Sequence, residues 1–300
     1  MDNAVLEIAR LSKSYGNIKA LDDLSLKILK GEVFGILGPN GSGKTTTLGI
    51  LLDILKADKG IYLWFGKKPE SLVRRRIGAL LEQPVFYPYL SAVRNMQIVA
   101  DIKGANYRSI DETLNRVGLF ERRHSKYKSY SLGMKQRLAI AAALIGEPEV
   151  LILDEPTNGL DPKSIAEIRS LILELGSKGL TVILASHLLD EVQKTCTHVA
   201  ILDKGKALHT GRVADVLNSS AQLEMVSDNM QQLQDAVANF DFVAEMKIEK
   251  GMLISSLKRE VDPSMVNKQL AEQGIYLSHI SQKKRSLESY FLDLLSGEDV

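Results

Sequence analysis

The chain has 300 residues, of which 45% are hydrophobic, so it can form a full hydrophobic core in one large domain or two unequal ones. Its 38 basic and 37 acidic residues nearly cancel, so no overall field favours nucleic acid or an anionic membrane as a partner. A single cysteine, Cys196, excludes an internal disulfide and fits a reducing compartment.

Short apolar runs alternate with helical segments over the first two thirds of the chain, a pattern typical of an α/β fold. Five runs rich in Val, Ile and Leu predict strands that are buried on both faces of a parallel sheet. They lie at 33–37, 77–81, 150–154, 181–186 and 198–203. Three runs with more alternation predict a flanking antiparallel layer, at 5–11, 24–29 and 61–65.

The remaining segments predict a helical insertion and a second domain. Between about residues 91 and 146 helical periodicity replaces the strand signal, which predicts a helical subdomain. The polar stretch 218–221 predicts a linker, so that 1–218 form one domain and 221–300 another. The second domain matches the ferredoxin-like split βαβ arrangement with a closing helix. Its strands and helices are predicted at 223–226, 229–240, 244–249, 252–257, 263–273, 275–281 and 286–295.

The segment GPNGSGKT at 38–45 fits the pattern G-x-x-x-x-G-K-[ST] of a phosphate-binding loop. It follows the predicted strand 33–37 and precedes a helical run. Its glycines let backbone N–H groups converge on one point, and the helix N-terminus adds a favourable dipole for phosphate. Lys44 would reach the β- and γ-phosphates of a nucleotide, and the Thr45 hydroxyl would bind Mg²⁺. The candidate nucleotide-binding residues here are Gly38, Pro39, Asn40, Gly41, Ser42, Gly43, Lys44, Thr45 and Thr46.

A second acidic element lies in the segment VLILDEPTNGLD. Asp154 and Glu155 emerge at the carboxyl end of the predicted strand 150–154, the edge where ligands bind in open α/β sheets. Asp154 would hold Mg²⁺ directly or through water, and Glu155 would polarise the attacking water. An isolated Asp-Glu pair after a strand is more often a solvated loop, but a phosphate loop earlier in the chain favours catalysis.

Two further polar side chains follow predicted strands at the same edge. Gln83 comes after the strand 77–81, and its amide would bind the metal or orient the water. His187 comes after the strand 181–186 and would hydrogen-bond a γ-phosphate. The alternatives are a turn residue at Gln83 and a helix-capping neighbour at His187. Their shared edge with Lys44 favours catalytic roles for both.

Together these motifs resemble those of the ATP-binding cassette (ABC) ATPases over about residues 1–215. The resemblance implies a P-loop NTPase fold with a mixed sheet, an antiparallel layer and a helical subdomain, and it implies ATP hydrolysis with Mg²⁺. It assigns, in family order, Tyr15 as the adenine-stacking aromatic, 38–45 as Walker A, Gln83 as the Q-loop glutamine, 131–134 as the signature, Asp154 and Glu155 as Walker B, 158–161 as the D-loop and His187 as the switch histidine. For Tyr15 the alternative is a core position.

The signature of that family is usually L-S-G-G-Q, and here the five positions hold Tyr130, Ser131, Leu132, Gly133 and Met134. A hydroxyl and a bare backbone amide remain at the N-terminus of the predicted helix 134–145, which makes an anion site. In a family dimer this site faces the other chain's ATP. The resemblance therefore implies a homodimer or paralogous heterodimer in which Ser131, Gly133 and Asp161 contact the partner's nucleotide. The alternative for Ser131 is a simple helix cap.

The resemblance implies a subunit that couples ATP hydrolysis to export through a separate integral membrane subunit, at the cytoplasmic face of the membrane. The chain has no basic and apolar leader and no window near 18 uninterrupted apolar residues, so we expect any membrane role to come through a partner. SLGMKQRL and SLESYFLDLL are similar to segments of bacterial multidrug, antibiotic-resistance and lantibiotic-immunity exporters. Aromatics near 83–90 predict the docking surface, the alternative being a buried aromatic loop.

Two other classes of function stay open at the level of sequence. One is a soluble ABC ATPase that acts on ribosomes or DNA; such proteins usually carry two cassettes or a long coiled-coil insertion, and this chain shows neither. The other is a nucleotide-gated sensor module, against which Glu155 argues because a sensor needs no general base. We expect no nucleic acid partner.

Overall fold

The computed structural model describes residues 3–81, 85–218, 222–249, 251–259, 261–283 and 286–296. The chain divides into two compact units, Met1–Thr210 and Gly211–Val300. That division falls ahead of the predicted linker, of which 219–221 lie outside the described residues. Among the described helices, none is both long enough and apolar enough to cross a membrane.

The strands and helices up to the end of the main sheet are as follows. In chain order the strands are β1 (Ala4–Tyr15), β2 (Ile18–Leu29), β3 (Val33–Leu37), β4 (Lys59–Trp64), β5 (Ile77–Leu80), β6 (Val150–Asp154), β7 (Thr181–Ser186), β8 (His198–Asp203) and β9 (Lys206–Arg212). The helices are α1 (Lys44–Leu51), α2 (Ser71–Arg74), α3 (Ala92–Lys103), α4 (Arg108–Arg116), α5 (Leu132–Leu144), α6 (Pro162–Ser177) and α7 (Leu189–Thr195), with 3-10 turns at Phe120–Arg122 and Tyr127–Ser129.

The main sheet has six strands in the order β5-β6-β7-β3-β8-β9. The first five of these run parallel, which confirms the five strands predicted from apolar runs. Strands β3, β6 and β7 are buried along their whole length, as expected of strands covered on both faces. Because parallel strands end at the same edge of a sheet, the phosphate loop, Asp154 and His187 are all delivered to one side of it.

The antiparallel layer has the order β2-β1-β4, as predicted. Strands β1 and β2 are each 12 residues long and extend beyond the predicted runs. Their pairing shifts register, and Arg10 and Asp23 within them adopt φ of 50° and 59°. Trp64 is fully buried, and its indole N–H donates to the Leu51 carbonyl at 3.0 Å. The layer is thereby tied to the end of α1, the helix that follows the phosphate loop.

Residues 91–146 form the predicted helical subdomain, which contains α3, α4, α5 and the two 3-10 turns. The Ser91 hydroxyl caps α3 by accepting the Arg94 N–H. At the other end of α3, the Lys103 ammonium donates to carbonyl groups at the end of α5. The subdomain is therefore held together by polar contacts at helix ends as well as by its core.

The second unit contains α8 (Val213–Asn218), β10 (Gln222–Ser227), α9 (Met230–Val237), β11 (Val243–Glu249), β12 (Met252–Leu257), α10 (Pro263–Glu272), β13 (Leu277–Lys283) and α11 (Leu287–Ser296). Its four strands pair antiparallel in the order β11-β12-β10-β13, which is the predicted ferredoxin-like arrangement. Leu223, Met225 and Leu253 on the sheet pack with Leu233 and Leu270 of the helices in a core of their own.

Candidate nucleotide-binding site

The phosphate loop runs from the end of β3 into α1. Gly41 and Gly43 have φ of 84° and 106°, in the left-handed region that glycine adopts without strain. A Cβ on Gly43 would lie 2.6 Å from the Ala20 carbonyl oxygen, whereas a Cβ on Gly41 would meet nothing within 4 Å. The Ser42 hydroxyl is buried and has no hydrogen-bond partner within the described chain. The loop is thus packed on one side and open on the other, as a cradle for phosphate must be.

Lys44 opens α1, and its side chain is only 6% exposed. Its ammonium donates to the carbonyl oxygens of Gly38 at 2.7 Å and Pro39 at 3.2 Å. Burial lowers the pKa of Lys44, and the carboxylates of Glu155 and Asp154 oppose that shift. The nearest carboxylate oxygen, Glu155 Oε1, is 3.9 Å from the ammonium. A desolvated cation held across the loop in this way favours a bound anion such as phosphate.

Thr45 and Asp154 join α1 to the end of β6. The Thr45 hydroxyl donates to Asp154 Oδ2 at 3.2 Å, and Asp154 is buried while Thr45 is exposed. Hydroxyl and carboxylate oxygens are hard ligands that suit Mg²⁺, which takes few protein ligands and completes its shell with water and phosphate oxygens. No cluster of three or more His, Cys, Asp or Glu that could hold a metal occurs in the described ranges.

Glu155 follows β6 in a strained conformation and contacts His187. Its φ is 46°, and its N–H donates to the Ala185 carbonyl at 2.9 Å. A non-glycine residue held at such a φ costs about 1–3 kcal/mol. Glu155 Oε2 lies 2.9 Å from His187 Nδ1. The sequence placed both residues at one sheet edge but gave no sign of this contact, because the spacing of residues on separate strands does not specify side-chain distance.

The signature turn, residues 131–134, contains the start of α5. That helix begins at Leu132, two residues earlier than predicted. Ser131 is the N-cap of this helix, and its hydroxyl oxygen accepts the Met134 N–H at 3.2 Å. The cap leaves the hydroxyl hydrogen free to donate outward from this exposed residue. Gly133 is buried, and a Cβ there would lie 2.2 Å from Ser164 Oγ on α6. Packing therefore requires glycine at this position, a constraint that the sequence did not reveal.

The segment 158–161 connects Glu155 to the start of α6. The Asn158 N–H donates to the Glu155 carbonyl at 3.1 Å, closing a turn directly after the candidate base. Asp161 is the N-cap of α6, and its Oδ1 accepts the Ser164 hydroxyl at 2.6 Å. That hydrogen bond lowers the pKa of the Asp161 carboxyl. Asp161 is therefore charged at neutral pH and oriented by its own helix.

Comparison with known proteins identifies the family of this site. The family model described as ABC transporter matches residues 21–158. The uncharacterized ABC transporter ATP-binding protein YhcH of Bacillus subtilis is 39% identical over 305 residues, which cover 98% of this chain and 96% of that protein. The chain belongs to the ATP-binding proteins of ABC transporters. Membership in this family implies nucleotide binding and transport-coupled ATP hydrolysis, and it confirms the resemblance and the P-loop fold expected from the motifs.

Other members of the ABC family match at similar levels. The bacitracin transport ATP-binding protein BcrA of Bacillus licheniformis is 36% identical, covering 98% of each chain. The structure of cbiO1 from Clostridium perfringens, part of the ABC transporter complex cbiONQ, matches with a TM-score of 0.65 and 31% identity over 71% of this chain and 90% of that one. A dimeric ATP-binding cassette in a post-hydrolysis state, bound to ADP and phosphate, matches with a TM-score of 0.61 and 28% identity over 69% of this chain and 98% of that one.

Two further residues were assigned by the ABC motifs, Tyr15 and Gln83, and the structure describes the first of them. Tyr15 ends β1 with 46% of its surface exposed, so it is no core residue, and the Lys13 ammonium lies 5.6 Å from its ring centroid. An exposed ring can stack on a base. Gln83 lies outside the described residues. The strand that precedes it, β5, is the neighbour of β6 in the sheet.

Proposed function

We propose that the chain is the ATP-hydrolysing subunit of an exporter whose pore is formed by a separate integral membrane subunit. The observation that carries this proposal is the contact between Glu155 and His187 at 2.9 Å, beside Lys44 and Asp154. A site with a carboxyl side chain held next to a phosphate cradle, as a candidate base, is suited to hydrolysis, whereas a sensor needs only the cradle. The similarity to the bacitracin transport protein supports antibiotic export as the kind of transport that the subunit drives. The alternatives, action on ribosomes or DNA and a sensor module, are not favoured.

The proposed chemistry is attack of water on the γ-phosphorus of ATP, with cleavage of the bond to the β-phosphate oxygen. Loop N–H groups and Lys44 hold the phosphates. Glu155 accepts a proton from the attacking water while the oxygen of that water forms its bond to phosphorus. His187 orients the Glu155 carboxylate. Thr45 and Asp154, with Gln83, would hold Mg²⁺, which when bound supplies charge stabilisation for the phosphate oxygens. Tyr15 would stack on the adenine.

A second contact to ATP comes from the partner chain in the proposed assembly. The Ser131 hydroxyl, the Gly133 amide and Asp161 would reach the nucleotide held by the other chain's phosphate loop, in a homodimer or a paralogous heterodimer arranged head to tail. The exposed N-terminus of α5 supports this, since helix N-termini bind anions. The dimeric cassette that resembles this chain supports it as well.

The membrane subunit would dock on the segment after β5. Val85, Tyr87 and Tyr89 are 95%, 49% and 63% exposed, while Phe86 packs edge-on against Tyr127 at 5.2 Å. One packed ring thus anchors a segment in which the side chains of Val85, Tyr87 and Tyr89 are exposed, which disfavours the buried-loop alternative. Such a patch suits an apolar partner helix. Through that partner the chain would sit at the cytoplasmic face of the membrane.

Purification of the full chain from its native membranes tests this function. We expect an integral membrane protein to copurify with the tagged chain, and Tyr87→Ser combined with Tyr89→Ser to lower its yield. Ile61→Ser, which removes another exposed apolar side chain (63% exposed), is the matched control and should leave the yield unchanged. Copurification of ribosomal proteins or DNA in place of a membrane protein would overturn the proposal.

The C-terminal segment 221–300 would be an accessory domain to a cassette formed by 1–218. The compact units support two domains but divide at Thr210, with α8 (Val213–Asn218) in the second unit. Chains ending after Thr210 and after Asn218 should both bind ATP as tightly as the full chain, because every nucleotide motif lies upstream. Calorimetric titration of both truncated chains measures this, and loss of ATP binding in both would show that the parts share one core.

A further inference from the structure

The first two turns of α5 and α6 contact each other without a gap. A Cβ on Gly133 would lie 2.2 Å from Ser164 Oγ and 2.7 Å from Ser164 Cβ, so the two helices meet through a bare glycine backbone. Three to four residues farther along each helix, Arg137 forms an ion pair with Glu167 at 3.4 Å. Two successive contacts on the same helix faces fix both the distance and the rotation of α5 relative to α6.

Ser164 makes a second contact, to the D-loop. Its hydroxyl donates to Asp161 Oδ1 at 2.6 Å, a short hydrogen bond to a charged acceptor. One side chain therefore touches the signature turn through Gly133 and the D-loop through Asp161.

We propose that Ser164 is a positioning residue that fixes the position of the signature turn relative to the D-loop within one chain. Ser131 and Asp161 then reach the partner's ATP together. This inference rests on the proposed head-to-tail dimer. It explains why Gly133 stays glycine where other signature positions differ from the family pattern: the neighbour that excludes a side chain is Ser164 of the same chain. It also gives Ser164 a role in dimer formation although it touches no nucleotide.

The test uses the full chain carrying Glu155→Gln, which slows turnover so that the ATP-bound dimer accumulates. Light scattering gives the ATP concentration at half-maximal dimerisation, calorimetry gives ATP affinity at low protein concentration, and thermal unfolding controls for folding. Ser164→Gly should raise the ATP concentration needed for dimerisation by about threefold to tenfold, through loss of one charged hydrogen bond. Ser170→Gly, at an exposed position of the same helix, is the matched control and should leave that concentration unchanged.

A compensating pair separates packing from phosphate contact at Gly133. Gly133→Ala alone should raise the ATP requirement more than tenfold, because its methyl overlaps Ser164. Ser164→Gly removes both overlapping atoms, so the double variant should return to the level of Ser164→Gly alone. A double variant as poor as Gly133→Ala, or a Ser164→Gly chain that dimerises like its parent, overturns the inference while leaving the dimer intact. If the Glu155→Gln parent does not dimerise with ATP, the result contradicts the proposed head-to-tail dimer and, with it, this inference.

Discussion

Two regions of the first unit each place a lysine ammonium against backbone carbonyl groups. At the phosphate loop, Lys44 donates to Gly38 and Pro39 at 2.7 and 3.2 Å. At the end of α5, Lys103 donates to the carbonyls of Ala142 and Ala143 in the last turn and to that of the C-cap residue Ile145, at 2.9, 3.0 and 3.0 Å. Burial lowers the pKa of both lysines, and that of Lys103 falls to about 8.

The surroundings of the two ammonium groups differ. This difference distinguishes a lysine in a ligand-binding site (a site) from a lysine that only stabilises a helix end (a support). The carbonyls around Lys103 are the orphan acceptors at a helix C-terminus, which a cation satisfies while it also complements the helix dipole. Lys44 instead begins α1 directly after the open phosphate loop, with Glu155 Oε1 at 3.9 Å and Asp154 nearby. A buried lysine with a perturbed pKa is therefore a candidate for function only when an open cradle and acidic groups accompany it.

The largest effect is expected from Glu155→Gln, which removes the carboxylate that distinguishes the surroundings of Lys44. The amide keeps the shape and cannot accept a proton from water, so turnover should fall by about 10²–10⁴-fold. ATP affinity should stay near that of the parent, because the phosphate ligands survive. Steady-state ATPase assays and calorimetry measure the two quantities. Glu112→Gln, whose side chain is 74% exposed on α4, is the control, and turnover within a few-fold of the parent in Glu155→Gln would exclude Glu155 as the base.

The next effect concerns affinity, and here each lysine serves as the control for the other. Lys44→Met keeps a side chain of similar length without the charge, and ATP affinity should fall about tenfold or more, since a charge-assisted hydrogen bond contributes about 1.5–3 kcal/mol. Lys103→Met should bind ATP as the parent does. Calorimetric titration measures both. Equal losses in the two variants would erase the distinction between site and support.

The sequence predicted the parallel strands closely because strands covered on both faces need continuous apolar runs, as in β6 and β7. It missed β9, where KALHTGR alternates partly buried and exposed positions without an apolar run. It also missed α8, VADVLN, which begins at Val213 inside the segment assigned to the cassette. Edge strands and short helices depend on tertiary packing more than on local pattern.

At the site, the sequence predicted which residues gather at one sheet edge because that depends on topology alone. It did not predict which side chains touch. The contact of Glu155 with His187 and that of Gly133 with Ser164 each join separate elements, so they depend on helix and strand placement to within an ångström. The glycine pattern of the signature predicted an anion site, whereas the structure adds a packing reason for the same glycine.

The smallest effect concerns Lys103 as a support. Lys103→Met leaves three carbonyls at the end of α5 without their donor, so the free energy of unfolding should fall by about 1–3 kcal/mol. Urea unfolding at neutral pH measures it. Lys178→Met, which removes an ammonium on a 58% exposed side chain, should change stability by less than about 0.5 kcal/mol and is the control. A Lys103→Met chain as stable as the parent would show that water satisfies these carbonyls equally well.

The pH dependence of that loss shows how the ammonium of Lys103 is held. Its pKa is lowered to about 8 by burial, whereas a lysine in the unfolded chain titrates near about 10.4. At pH values between these two pKa values the unfolded state binds more protons than the folded state, so folding becomes more favourable as the pH rises. The contribution of Lys103 to the free energy of unfolding is therefore lowest below pH 8 and rises toward about pH 10. The stability gap between the parent and Lys103→Met should therefore widen as urea unfolding is repeated from about pH 7 to about pH 9.5. A gap that narrows would mean that the carbonyls and the helix dipole hold the proton more strongly than burial expels it, and Lys103 would then stabilise α5 as a charge rather than as a hydrogen-bond donor alone.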